Sequence, residues 1–272
     1  MSTYRLKSLL APRSVALVGA SPRRGSVGRA ILGNIRKSQF KREFGLVNPQ
    51  YSEIDGIKAV DSLAKLSFVP ELVVITAPAK SIPVLIDEAG RCGAVGAVIV
   101  SAGLGHGPGS LADATEKAAQ KYGMRLIGPN CLGIMMPRAN LNASFSAHMP
   151  DKGNLALISQ SGAIAAGMVD WAAQRAVGFS GIVSIGDQLD EMYPPNPWTG
   201  VAQWREYAED MGNTPSRDHV EPDPLGGTDC AHPEIGGARA GFTAADQFHL
   251  HGPAQVFGQR GRCQQRPWDQ AQ

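Results

Sequence analysis

The sequence predicts an α/β fold in which parallel sheets are covered by helices on both faces. Two observations carry that expectation. Up to about Asp190, short β-rich runs alternate with helical segments, the pattern of strands joined by crossover helices. Each predicted strand also ends in a loop of small or polar residues, and in an open α/β sheet such loops gather at the carboxyl edge, where ligands bind. With 272 residues the chain can form one large or two ordinary domains around an ample core.

The first unit is the stretch the rest is organised around. Ser14 to Val18 reads as a strand, Gly19-Ala20-Ser21 as the turn off it, and Val27 to Lys37 as the helix that follows. Gly19 permits a tight turn, Gly25 lets backbone N–H groups approach a phosphate, and Gly28 lets the helix pack close to the sheet. Ser21 and Ser26 can cap the helix or donate to the same phosphate. A glycine turn without a ligand is the bland alternative. The spacing is not the dinucleotide fingerprint G-x-G-x-x-G, and the second strand, Phe44 to Val47, ends in Asn48-Pro49 rather than the acidic residue that grips an NAD ribose. An NAD(P)-dependent oxidoreductase is therefore the weakest of the functional readings.

Further strands are expected at Leu72 to Thr76, Ala97 to Ser101 and Arg125 to Ile127, with helices at Ile82 to Cys92 and Leu111 to Tyr122. Their loops are Ala77-Pro78-Ala79, Ser101-Ala102-Gly103 and Gly128-Pro129-Asn130-Cys131. Asn140 to Gly153 lacks helical periodicity and reads as a linker. A second α/β unit then begins with Leu155 to Ile158 as strand, Ser159-Gln160-Ser161-Gly162 as turn, Ile164 to Ala176 as helix and Gly181 to Ile185 as strand. Ser161 and Gly162 at the new helix N-terminus make a second candidate anion site, or simply a capped helix.

Beyond Asp190 the character changes. The 82 residues from Glu191 to Gln272 hold no Lys, nine of the 19 prolines and only eleven Ile, Leu, Val, Met or Phe. That is too few apolar residues, too irregularly placed, for strands and amphipathic helices. The tail reads as frame-shifted, non-native or low-order sequence.

Composition narrows the partners. A formal charge of +2 asks for no special partner, while Arg23, Arg24, Arg29, Arg36, Lys37, Lys41 and Arg42 around the first helix suit a small polyanion or a solvated helix face. No run of 18 apolar residues and no signal-peptide pattern occur, so a cytoplasmic protein with no membrane and no nucleic-acid partner is expected. Cys92, Cys131, Cys230 and Cys263 have no metal-ligand spacing, and no metal site is expected.

Taken together, Val18-Gly19-Ala20-Ser21, Gly25-Ser26-Val27-Gly28, Val47-Asn48-Pro49, Ala77-Pro78-Ala79, Ser101-Ala102-Gly103, Gly128 to Gly133, Leu157 to Ala163 and Ser184 to Asp187 resemble the NDP-forming acyl-CoA synthetases. These are relatives of the succinyl-CoA synthetase α subunit, and include protein acetyltransferases with the same region. The resemblance implies a Rossmann-like CoA-binding domain over residues 1–138, the start of a flavodoxin-like domain over 139–190, and a tail over 191–272 outside the family pattern. It places coenzyme A against Gly19, Ala20, Ser21, Gly25, Ser26, Val27, Gly28, Asn48, Pro49, Ala77, Pro78, Ser101, Ala102, Gly103, Asn130 and Cys131. Ser159, Ser161 and Gly162 would stabilise a phosphohistidine.

The family reaction joins a carboxylic acid to CoA at the expense of ATP or GTP, with Mg, through acyl phosphate and phosphohistidine intermediates. This sequence departs from that pattern. It offers no family context for the phosphorylated histidine, since His219, His232, His249 and His251 lie in the tail and His106 and His148 in loops of the first domain. It also shows no ATP-grasp or acetyltransferase domain. No catalytic residue is assigned. The expected function is the CoA-holding part of an acid–CoA ligase that is inactive alone and needs an ATP-grasp β-type subunit or an acetyltransferase domain on another chain; the alternative is a CoA-binding or regulatory module without chemistry. Cys131 is expected to be a small residue packed near the ligand, since no His or Asp is placed to activate it.

Overall fold

The computed structural model describes residues 5–189 and the strand at 256–259. The boundary at Asp190, the four tail histidines, Cys230 and Cys263 lie outside the described residues.

Two sheets form the framework. The first is built from β1 (Ser14–Val18), β2 (Glu43–Val47), β3 (Glu53–Ile54), β4 (Ile57–Val60), β5 (Leu72–Ile75), β6 (Gly96–Ile99) and β7 (Arg125–Ile127), in the order β3-β4-β2-β1-β5-β6-β7. All its pairings are parallel except the β3–β4 hairpin. The second comprises β8 (Gly133–Met136), β9 (Leu141–Ser144), β10 (Lys152–Ser159), β11 (Phe179–Ser184) and β12 (Val256–Gln259), in the order β12-β10-β11-β8-β9. The helices are α1 (Leu6–Leu10), α2 (Val27–Lys37), α3 (Ile82–Arg91), α4 (Leu111–Tyr122) and α5 (Gly162–Ala173). This is a Rossmann-like parallel sheet followed by a flavodoxin-like unit.

Strand alternation distributes the core. In β1, Val15 and Leu17 face the cluster containing Leu9 of α1 and Ile31, Leu32 and Ile35 of α2, whereas Ala16 and Val18 face Ile82, Ile86 and Ala89 of α3. All five residues of β1 are buried, as a central parallel strand covered on both faces requires. The first of these clusters also takes in Ile134, Leu141, Ile158 and Val183, so the second sheet packs on the α2 side. On its far face, Leu155, Leu157, Phe179 and Ile182 meet Ala165, Met168, Val169 and Ala172 of α5.

The structure departs from the sequence reading in its joints. The stretch read as a linker contains β9, and the β8–β9 hairpin straddles residue 138 to pair antiparallel with β11. Where the sequence suggested two strands, at Leu155 to Ile158 and Gly181 to Ile185, the second sheet has five. Its fifth, β12, comes from the tail, where no regular element was expected; Val256–Gln259 pairs in parallel with Ala156–Ser159 of β10. The physical reason is that β10 presents an unpaired edge on that side, and a short extended segment satisfies its backbone groups. Among the described residues no helix is long and apolar enough to cross a membrane.

Candidate functional site

The chain passes from β1 into α2 through a loop shaped by close backbone approach. Gly19 has φ +87°, and a Cβ there would stand 2.8 Å from the Ala77 amide nitrogen and 2.9 Å from the Thr76 carbonyl carbon. Gly28, at the start of α2, lies so near the sheet that a Cβ would come within 2.7 Å of Thr76 Oγ1 and 2.9 Å of Ala20 Cα. The helix start is thus seated against β1 and β5, at the crevice where strand order reverses. Ser26 caps it, its Oγ accepting from the Arg29 amide at 3.4 Å, while the Ser26 carbonyl accepts from Ala30 at 3.1 Å. The amides of Val27 and Gly28 precede that first intrahelical bond and carry the positive end of the helix dipole.

Two clefts meet above this turn. One, of about 670 Å³, runs along α2 past Arg24, Gly25, Ser26, Asn34 and Lys37. The other, of about 740 Å³, lies between the carboxyl edge of the first sheet and α5. Thr76, Val100, Ser101, Ala102, Asn130 and Cys131 line one side; Gln160, Gly162, Ala163 and Ala166 line the other. Val27 and Phe145 line both clefts, which are therefore adjacent.

The residues singled out from the sequence divide into three groups. Gly25, Ser26, Val27, Ser101, Ala102, Asn130, Cys131 and Gly162 line the clefts. Gly19, Ala20, Gly28, Ala77, Asn48 and Ser159 act beneath them: Asn48 is buried, with its Nδ2 donating to the Ala20 carbonyl at 2.7 Å and its Oδ1 accepting from the Gln50 amide at 2.7 Å. Its carboxamide ties the β2 loop to the β1 loop rather than reaching into a cleft. Ser159 Oγ accepts from the Ser161 amide at 3.1 Å and donates to the Ser161 carbonyl at 3.0 Å, fixing the turn into α5. Pro49, Pro78 and Gly103 are exposed, and Ser21 and Ser161 are half-buried, outside the two lining sets.

The charges around α2 are unequal. Arg29 pairs with Asp55 through Nε at 3.1 Å and Nη2 at 3.0 Å, and Arg36 donates to the Asp55 carbonyl. Arg24 and Lys37, on the cleft, form no ion pair among the described residues. They leave net positive charge facing the space in front of Ser26.

Cys131 is buried, and its thiol donates to the Ile99 carbonyl at 3.3 Å. Burial pushes the thiol up to about 12, so it holds its proton at neutral pH and is no nucleophile. The two units lock together around it. Asn130 Nδ2 donates to Asp187 Oδ1 at 3.1 Å, the Asp187 amide to the Pro129 carbonyl at 2.8 Å, and the Leu132 amide to Ser184 Oγ at 3.0 Å. At the cleft wall, Gln160 Nε2 donates to Gln188 Oε1 at 2.9 Å.

Of the histidines described, His106 is exposed, and His148 Nδ1 lies 3.0 Å from Asp170 Oδ1 at the surface. Neither lines the clefts. Sequence reasoning missed Phe145, Thr76 and Asn34. A lone Phe amid small residues in Asn142-Ala143-Ser144-Phe145-Ser146 was the available signal for the first; nothing local marked the other two.

Comparison with known proteins bears on this geometry. Residues 13–137 match the CoA binding domain and residues 152–193 the succinyl-CoA ligase like flavodoxin domain. The chain is 42% identical over 188 residues to an ADP-forming acetate–CoA ligase of Methanocaldococcus jannaschii, an alignment covering 69% of this chain and 26% of the relative. It is 39% identical over 183 residues to the α subunit of ADP-forming acetate–CoA ligase II of Pyrococcus furiosus, covering 66% and 39%. The dinucleotide-forming acetyl-coenzyme A synthetase 1 of Ca. Korarchaeum cryptofilum, solved with phosphate and ADP, superposes with a TM-score of 0.68 at 29% identity, over 77% of this chain and 44% of that one. The chain therefore spans less than half of each of these relatives.

Proposed function

The chain belongs, through residues 13–193, to the family of ADP-forming acyl-CoA synthetases, and from that premise we propose that it holds coenzyme A for the joining of a carboxylic acid to the CoA thiol. The observation that carries this reading is the adjacency of the two clefts, which share Val27 and Phe145 as lining. One has a cationic, amide-lined end beside Ser26, and the other, largely apolar, reaches the N-terminus of α5. CoA has matching parts: phosphates at one end, a long pantetheine arm and a terminal thiol.

In this reading the α2 amides and Ser26, with Arg24 and Lys37, take the phosphates. Gly19 and Gly28 set the loop close to the sheet, and Asn48 holds it there. Ala20, Ser21, Pro49, Ala77, Pro78 and Gly103 border the same edge of the sheet. Ser101, Ala102, Asn130 and Cys131 wall the arm. Ser159, Ser161 and Gly162 offer a capped helix N-terminus to a phosphoryl group carried by a histidine from outside the described residues. ATP or GTP with Mg²⁺ enters through an ATP-grasp β-type subunit or equivalent, and the described residues alone do not perform ligation.

A second reading, a CoA-binding or regulatory module without chemistry, draws on two observations. Neither described histidine reaches the clefts, and Cys131 is locked as a thiol.

Calorimetric titration of the whole chain with CoA and with NAD tests the main reading: binding to CoA is expected, and preference for NAD would overturn it. Incubation with labelled ATP or GTP separates the two readings. No acid-labile phosphate is expected on the chain alone; label appearing on addition of an ATP-grasp subunit, followed by acyl-CoA formation, supports the ligase part, and no turnover with any such subunit supports the module.

A further inference from the structure

Resting on the CoA reading, we propose that Phe145 is the specificity-determining contact for the pantetheine arm and that Asn34 is the positioning residue that holds it. Phe145 is among the few large apolar side chains left exposed, at 41%, and Val27, at 40%, is another. Each lines both clefts. An exposed aromatic on a loose loop would need no explanation; this loop is not loose.

Its backbone is tied on both sides of the ring. The Phe145 amide donates to the Leu132 carbonyl at 3.3 Å. Asn34, reaching from α2, donates through Nδ2 to the carbonyls on either side of Phe145, Ser144 at 2.8 Å and Ser146 at 2.7 Å. The Ser146 amide donates to Ser144 Oγ at 3.3 Å, and Ser144 Oγ donates to Asn142 Oδ1 at 2.6 Å. Asn34, Asn142, Ser144 and Ser146 are all buried. A buried carboxamide is thus spent on clamping one loop, and the ring it presents is the part left in water. A rigid aromatic costs little entropy to order and offers a large apolar face, which is what a flexible, largely apolar arm leaving a cationic site requires. Val27, at the start of the same helix that carries Asn34, lines both clefts together with the ring.

Binding of CoA and of adenosine 3′,5′-bisphosphate, which keeps the 3′-phosphate and one of the two 5′-phosphates but lacks the arm, tests this on the whole chain. Phe145→Ala is expected to weaken CoA by about tenfold or more and leave the bisphosphate unchanged. Asn34→Ala is expected to weaken CoA too; since Asn34 also lines the α2 cleft, selectivity for the arm is read from Phe145→Ala. In the double variant it should add nothing further, because its effect acts through the ring; thermal midpoints check that each variant is folded. If Asn34→Ala does not fold, the Phe145→Ala comparison decides alone. In Phe145→Ala, loss of CoA and bisphosphate affinity in equal measure or an unchanged CoA affinity would overturn the proposal, as would fully additive losses in the double variant. A wild-type chain that binds no CoA would overturn the underlying reading and this one with it.

Discussion

The two strand-to-helix turns, β1 to α2 and β10 to α5, use the same cap and are otherwise built differently. Each begins with a serine whose Oγ accepts an amide three residues on, Ser26 from Arg29 and Ser161 from Ile164, both at 3.4 Å. The first turn is long, presses Gly19 onto the Thr76–Ala77 backbone just past β5 and Gly28 onto Thr76 Oγ1 and the Ala20 backbone, and has Arg24 and Lys37 beside it. The second is short, sets Gly162 against Leu132 with no approach nearer than 3.3 Å, and its cleft wall carries no cation. A helix N-terminus alone offers about half a charge, enough to favour a small anion. Holding a polyphosphate calls for added cations and a loop seated where backbone can approach, and only the first turn has both.

The sharpest way to break this comparison is to add one methyl group to each turn. Gly19→Ala puts a Cβ into backbone at a positive φ, so we expect a loss of about 3 kcal/mol or more, seen as a large fall in thermal midpoint. Gly162→Ala adopts ordinary helical backbone and needs Leu132 to give by only a few tenths of an ångström, so a loss of about 1 kcal/mol is expected. Equal losses would mean the turns share one packing constraint.

Between the turns lies Cys131, and its thiol gives the next largest effect, at alkaline pH. Burial raises it from 9.0 to about 12. A group whose folded value lies above its unfolded value keeps its stability contribution below the unfolded value and loses it as pH rises towards the folded one. Stability should therefore be insensitive to this group below about pH 9 and fall between about 9 and 12, by up to about 1.4 kcal/mol per pH unit. Denaturant titrations should show that fall shrinking in Cys131→Ala; an unchanged slope would mean the thiol is not desolvated as its burial implies.

How much of this was legible varies along the chain for physical reasons. The first sheet could be read because buried parallel strands such as Ser14–Val18 and Leu72–Ile75 are continuous apolar runs, and because glycine marks where backbone must turn or touch. The β8–β9 hairpin could not. Leu141–Ser144 is entirely buried yet half polar, with Asn142 and Ser144 satisfying one another, and so imitates a linker. The β3–β4 hairpin did carry a signal, Asp55-Gly56, both at positive φ. For the candidate site, the loops at the sheet edge were readable one by one. Asn48 illustrates the limit: its place beside the site followed from sequence, its role as an internal tie only from its two hydrogen bonds. Asn34 and Phe145 meet across more than a hundred residues, and no local pattern joins them.

Charge sharpens the comparison next. Arg24→Ala with Lys37→Ala should weaken CoA several-fold at low salt, each exposed cation contributing at most about 1 kcal/mol, and should flatten the dependence of affinity on ionic strength. A double variant with an undiminished salt slope would place the phosphates elsewhere.

The smallest expected effect is the most discriminating, because it compares like with like. Ser26→Ala and Ser161→Ala remove the same kind of bond from the same helical position, and both bonds are long, at 3.4 Å. Each should cost about 0.5–1 kcal/mol of stability, measured by denaturant unfolding. Ser161 has slightly more to lose locally, since its own amide is tied to Ser159 Oγ and the turn has only Gln160 to absorb a change. On ligand binding the two should separate. Ser26 lines the α2 cleft, so its loss should reduce CoA affinity beyond any effect on folding, and bisphosphate affinity by the same factor, because it serves the phosphates rather than the arm. Ser161 stands at the other helix, so its loss should leave both affinities where they were. If Ser161→Ala weakened CoA as much as Ser26→Ala, the division between a turn for the polyphosphate and a turn for a smaller anion would be lost.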